Sequence, residues 1–328
     1  MLTPQCARGD LRGVIEKLKS LHDGDIGVVE IIRFGERAIP LVAAILFEPE
    51  PSGLYETRRR AVEALAALKA YGMLRDYLRT SRDIADPVER TGEEAVINAA
   101  ARVLGDFGDE WDLPLLFTLL KQNRFSGVIE AIGKFRLTEA LPYFIDALAD
   151  DFSRPAAEDA ILKLGLTSQD ALLRCAIRSD PISEREVDTR TQQRRSALRL
   201  LLRLRQAPHA LWAAADVLIQ DPDPWIAMLS SRLCLDCAVA PTNPAAITRL
   251  IGLLKSADGL LAEEIADCLL SHLDAACTMI DAAIEAEESD QNAGKPWWLK
   301  GKTLPVLLRV RAQHSTTMDN LIARKGQK

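Results

Sequence analysis

Apolar residues recur along this chain at three- and four-residue intervals, in blocks separated by proline, glycine and acidic turns. Residues 36–72 show the pattern most plainly. Ala38, Leu41, Val42, Ile45 and Leu46 follow helical spacing, and so do Val62, Leu65 and Leu68. A proline-rich turn lies between the two blocks, and Gly72 is the expected stop. The stretch therefore predicts helix, turn, helix. A single such hairpin cannot bury both apolar faces, so it requires copies stacked against it.

The copies can be aligned on one apolar position of the second helix. That position is Phe34, Leu68, Leu104, Phe135, Leu164, Leu201, Cys237 and Leu270, at intervals of 29 to 37 residues. Four residues earlier stand Glu30, Ala64, Ala100, Ala131, Ala160, Ala197, Leu233 and Ala266. A small residue in most of these predicts close approach of neighbouring helices. One residue later Gly35, Gly105 and Gly165 suggest helix ends. First helices match as well, with proline in the opening turn at Pro40, Pro114 and Pro142, where its missing N–H costs little. Asp223-Pro224 predicts an N-cap followed by a first-turn proline.

An "A-L-P-x-L" first helix alternating with an "R-x-A-x-x-A-L" second helix resembles HEAT repeats, in the short variety of phycobilisome lyases. Arg58, in Arg58-Arg59-Arg60-Ala61-Val62-Glu63-Ala64-Leu65, falls at that family's usual basic position. The resemblance implies an all-α fold, an α-solenoid of about eight hairpins, with second helices lining a concave wall. It covers residues 25–285, flanked by an N-terminal capping helix in 1–24 and a linker, capping helix and basic tail in 286–328.

At the ends, Asp10 caps a predicted helix over 11–21, and further helices are expected over 274–288 and 302–313, joined by a polar linker from Glu288. Longer connections fall inside units, at 47–55, 82–92 and 179–188, and would decorate one edge of the array. Insertions in repeat proteins often cluster on the binding side.

Composition narrows the function. Apolar residues make up 48% and aromatics 5%, so the core is built of alanine and leucine. A net charge of -6 argues against a general nucleic-acid binder, whose affinity rests on neutralising phosphates. Six cysteines without an export signal predict reduced thiols and a cytoplasmic location, and no apolar run reaches membrane-spanning length.

The most regular charged feature is the predicted helix over 189–205, where Arg195, Arg199 and Arg203 share one face and Leu198, Leu201 and Leu202 turn inward. Arg190 lies near its start. Stacked like charges repel, so a carboxylate-rich partner would offset them; compensation by acids of an adjacent unit is the competing reading. Arg58 and Arg59 form a second candidate contact, although pairing to Glu48, Glu50 or Glu56 is the preferred reading. Cys234 and Cys237, one repeat before Cys268 and His272, could supply four zinc ligands, but Cys237 occupies a core position and packing is the preferred reading. Adjacent Trp297 and Trp298 are expected to cover the last repeat, and Trp111 to pack on its neighbouring unit.

HEAT-like deoxyhypusine hydroxylases bind metal with His-Glu pairs, and none of His22, His209, His272 or His314 is followed by Glu. The expectation is a non-enzymatic scaffold or adaptor without cofactor, holding another protein with an acidic surface through its concave face and long-loop edge. The alternatives are a phycobilin lyase-like chaperone subunit and a HEAT-like nucleic-acid-binding protein.

Overall fold

The structure, a computed structural model, describes residues 11–20, 22–47, 55–80, 84–177, 188–205, 211–237, 244–292 and 303–313. Every regular element among them is helical, with no strand. The chain divides into two compact units, Met1–Leu164 and Gly165–Lys328.

The first unit contains α1 (Leu11–Lys17), α2 (Gly24–Phe34), α3 (Ile39–Phe47), α4 (Glu56–Ala67), α5 (Tyr71–Arg79), α6 (Pro87–Phe107), α7 (Leu113–Gln122), α8 (Ser126–Phe135), α9 (Leu141–Ala147) and α10 (Arg154–Leu164). Each odd helix packs on the even helix after it. The even helices also pack in succession, α2 on α4, α4 on α6, α6 on α8 and α8 on α10. The second unit contains α11 (Gln169–Ala176), α12 (Asp188–Leu204), α13 (Leu211–Ile219), α14 (Pro224–Asp236), α15 (Pro244–Leu253), α16 (Gly259–Ser271), α17 (Leu273–Asn292) and α18 (303–313). There α12 packs on α14 and α14 on α16, while α13 meets α15 and α15 meets α17.

All eight aligned apolar positions fall on an even helix or on the residue capping its end. The position four residues earlier explains the preference for alanine. From Ala64 through Ala100, Ala131, Ala160, Ala197 and Leu233 to Ala266, none is more than 1% exposed. Gly105 shows how close the approach is, because a Cβ there would lie 2.6 Å from the Cα of Ala131. Its role is thus close approach of α6 to α8 rather than a helix end.

Gly72 does not end α4 either; it lies within α5. Lys69 takes the left-handed turn instead, at φ 57°. The Ala70 N–H donates to the Leu65 carbonyl at 2.8 Å and the Lys69 N–H to Ala66 at 2.9 Å, closing the last turn. Arg136 and Arg205 adopt the same conformation, at φ 52° and 55°.

Arginines then tie hairpins together. The last carbonyls of a helix lack partners along the chain and carry partial negative charge. Arg58 reaches back from α4 to the Leu46 carbonyl, Arg154 from α10 to Leu148 at 2.9 Å, and Arg194 from α12 to Ala176 at 2.8 Å. Arg58 also pairs with Glu93 of α6 at 2.5 Å and donates to the Tyr77 hydroxyl at 3.0 Å, which in turn donates to Glu93 at 2.7 Å.

Several boundaries differ from the sequence expectation. The first helix stops at Lys17, and Asp10 lies outside the described residues. The connection read as reaching Gly92 ends at Asp86, whose side chain caps α6 by accepting from Val88 and Glu89. Helix α17 continues to Asn292 through the segment read as a linker, because no proline or glycine interrupts it before Gly294. The interiors of the other two long connections, the Trp297–Trp298 pair and the basic tail lie outside the described residues. No helix among those described is long and apolar enough to cross a membrane.

Candidate functional site

The second unit contains a groove of about 1100 Å³ across α12, α14 and α16. Helix α12 buries Ala197, Leu198, Leu200 and Leu201 and turns Arg199 and Arg203 outward, as its spacing requires. Arg205 follows in the left-handed position at its end. Helix α14 begins at the predicted cap, where Asp223 accepts from the Ile226 N–H at 2.9 Å and Pro224 fills the first turn. That places Trp225 half-buried beside α12, with its ring centre 5.9 Å from the guanidinium carbon of Arg199. Buried Met228 and Leu229 continue the α14 side, and Leu260 of α16 is 66% exposed at the margin.

The two walls differ electrostatically. Towards α16 the charges neutralise one another. Arg232 lies 3.6 Å from Asp236 and 3.4 Å from Glu264, and His272 Nε2 is 2.6 Å from Asp236 Oδ1. On the α12 side, Arg199, Arg203 and Arg205 have no ion-pair partner among the described residues. The groove therefore carries uncompensated positive charge along one side.

The structure divides the predicted arginine row. Arg195 belongs to the chain's own framework, donating from Nε at 3.2 Å and Nη2 at 2.5 Å to Asp223, the acid that caps α14. Arg199 and Arg203 remain outward-facing in the groove, while Leu202 is only half-buried and lines it. Arg190 is exposed in the first turn of α12 and is not free. Arg58 is no surface residue: it is 7% exposed, with its head group spent on Leu46, Tyr77 and Glu93. Arg59 pairs with Glu56 at 2.8 Å and with Glu63, both on its own helix. Glu48 and Glu50 lie outside the described residues.

Sequence reasoning missed Arg205, Arg232 and the groove-side role of Trp225. Trp225 sits one residue after the capped proline, so its helix was legible, but the face it presents to α12 depends on packing between helices.

The alternative zinc set does not assemble. Cys234 and Cys268 are buried, and burial pushes both thiols up to about 12; Cys237 and Asp216 add to the rise at Cys234, and Asp236 and Glu264 add to it at Cys268 against the opposing charge of Arg232. Their protonated form is a poor metal ligand. Cys237 is half-buried, its thiol raised first by burial and then by Asp236, and His272 is held by Asp236. No cluster of three or more His, Cys, Asp or Glu suited to a metal occurs among the described residues.

The first unit has its own cleft, of about 610 Å³, between α5, α6 and α7. Tyr77 and Glu93 lie in its floor, tied to Arg58. Trp111 stands at the rim, 89% exposed, rather than packed as expected. The turn that carries it is anchored by Asp112, 2% exposed, which accepts from Arg75 at 2.5 and 3.0 Å. Burial opposes ionisation of Asp112, yet the Arg75 bonds, the Asp109 backbone N–H and the Arg75 charge together hold its carboxyl below the usual range.

Compared with protein-family models and with curated proteins, the chain matches none. The repeat reading accordingly rests on the chain's own residues.

Proposed function

We propose that this chain is a protein-interaction scaffold, an α-solenoid of HEAT-like hairpins that holds a protein partner in the groove of its second helices. The observation that carries the reading is the trio Arg199, Arg203 and Arg205, exposed and unpaired beside half-buried Trp225. Exposed arginines adjoining an aromatic side chain are typical of interface anchors. Support for the repeat architecture comes from the even helices packing in succession and from the buried alanine at a constant register.

The test is affinity capture from the native cell, comparing wild type with Arg199→Glu/Arg203→Glu. Both side chains are exposed, so the variant should keep its melting temperature and lose a specific partner. Capture of an unchanged set of proteins by a folded variant refutes the assignment.

A further inference from the structure

Ion pairing between neighbouring helices is a recurrent feature of this chain, and the groove departs from it. Arg60 of α4 meets Asp25 of α2 at 3.0 Å, and Arg102 of α6 grips both oxygens of Glu130 on α8 at 2.6 and 2.9 Å. In the second unit, Arg309 of α18 takes Glu263 of α16 at 3.0 and 2.9 Å. Arg195 continues the rule by holding Asp223. One and two turns further along α12 the facing helix offers Trp225, Met228 and Leu229 instead of acids. The one carboxylate that α14 turns to the groove, Asp236, is taken up by Arg232 and His272.

We propose that the groove takes an acidic amphipathic helix, with carboxylates one turn apart for Arg199 and Arg203 and an apolar residue against Trp225 and Leu260. This deepens the scaffold reading above and rests on it. Residues four apart on a helix stand about 6 Å apart, so glutamates at i and i+4 of a partner match the pitch of arginines at the same spacing. Arg195 with Asp223 shows the geometry available to the row, two donors of one guanidinium on one carboxylate. Leu260, two-thirds exposed, and half-buried Trp225 both line the groove and offer it apolar surface beside the charges. An amphipathic helix can turn its carboxylates to Arg199 and Arg203 and an uncharged face to Asp236 and Glu264, whereas a phosphate backbone carries charge along its whole length and has no such face. The unpaired arginine row is also short, whereas duplex binding draws on many phosphate contacts.

The experiment measures fluorescence anisotropy of a labelled helical peptide bearing Glu at i and i+4 and one leucine, with the full-length protein. The controls are the same peptide with Gln for Glu and a labelled DNA duplex. The expected result is saturable binding that weakens with salt, and about tenfold weaker binding both for the Gln peptide and for Arg199→Gln/Arg203→Gln protein. The Gln variant removes the charge while keeping an unbranched polar side chain at an exposed position, and its helical circular dichroism verifies the fold. Equal binding of the two peptides, no effect of the arginine changes, or tighter binding of the duplex overturns the proposal. If charge reversal abolishes partner capture while no acidic peptide binds, this inference fails and the scaffold reading stands. If neither capture nor peptide binding responds, both fail.

Discussion

Removing Glu93 should damage the first unit more than removing the whole network that Glu93 belongs to. Arg58 is 7% exposed and Glu93 6%, so neither charge can turn to water when the other is lost. In Glu93→Ala the guanidinium keeps only the Leu46 carbonyl and the Tyr77 hydroxyl, and a buried cation stands without its counter-charge. Breaking a buried pair from one side costs roughly 3–5 kcal/mol. For a unit of this size each kcal/mol lowers the melting temperature by about 2–4 °C, so the expected fall is on the order of 10 °C. Arg58→Met/Tyr77→Phe/Glu93→Leu removes the desolvation penalty together with the pair, and should lose no more than about 2 kcal/mol. Urea unfolding followed by helical circular dichroism measures both. If Glu93→Ala loses under about 1 kcal/mol, or the triple variant is as damaged as the single one, the buried pair does not have the energetic role its geometry implies.

Acid should weaken the turn that carries Trp111. The Asp112 carboxyl is depressed in the folded chain, so its contribution is complete above the ordinary carboxylate value near ~3.9 and is lost as pH falls towards its own lower value. Asp112→Asn should destabilise the protein at neutral pH and flatten that part of the acid melting profile; an unchanged profile would count against the Arg75 clamp. Cys234 and Cys268, with thiols raised to about 12, should resist a thiol reagent at pH 8 in the folded protein. Their thiolate fraction is roughly a thousandfold below that of an ordinary cysteine. Rapid labelling of either, found by peptide mapping, contradicts their core placement.

Periodicity was enough to find the helices, because apolar spacing and capping residues are local properties. Asp223-Pro224 and the opening-turn prolines are read directly from neighbours in sequence. Helix ends were less legible where the signal is weak. Lys69 turns the chain where glycine was expected, since two carbonyl hydrogen bonds hold a conformation that a lysine alone would not favour. The fate of each arginine was only partly legible: the pairing of Arg59 with Glu56, three residues away, is offered by the local sequence, but which acid Arg58 or Arg195 would meet is not. Arg58 and Arg59 are adjacent, yet one is buried under a neighbouring hairpin and the other lies along its own helix. Arg195 and Arg199 are one turn apart, yet only the first finds an acid. Those outcomes depend on residues 28 to 35 positions away, brought near by packing that no local pattern encodes.

Arg205 ties the groove to the cost of its own turn. A side chain at φ 55° is strained, and glycine would relieve it by roughly 1 kcal/mol. The same exchange would strip one of three unpaired cations from the groove. If the groove binds as proposed, a sturdier fold and a stronger grip would pull this position in opposite directions, a conflict that Lys69 and Arg136, outside the groove, would not face.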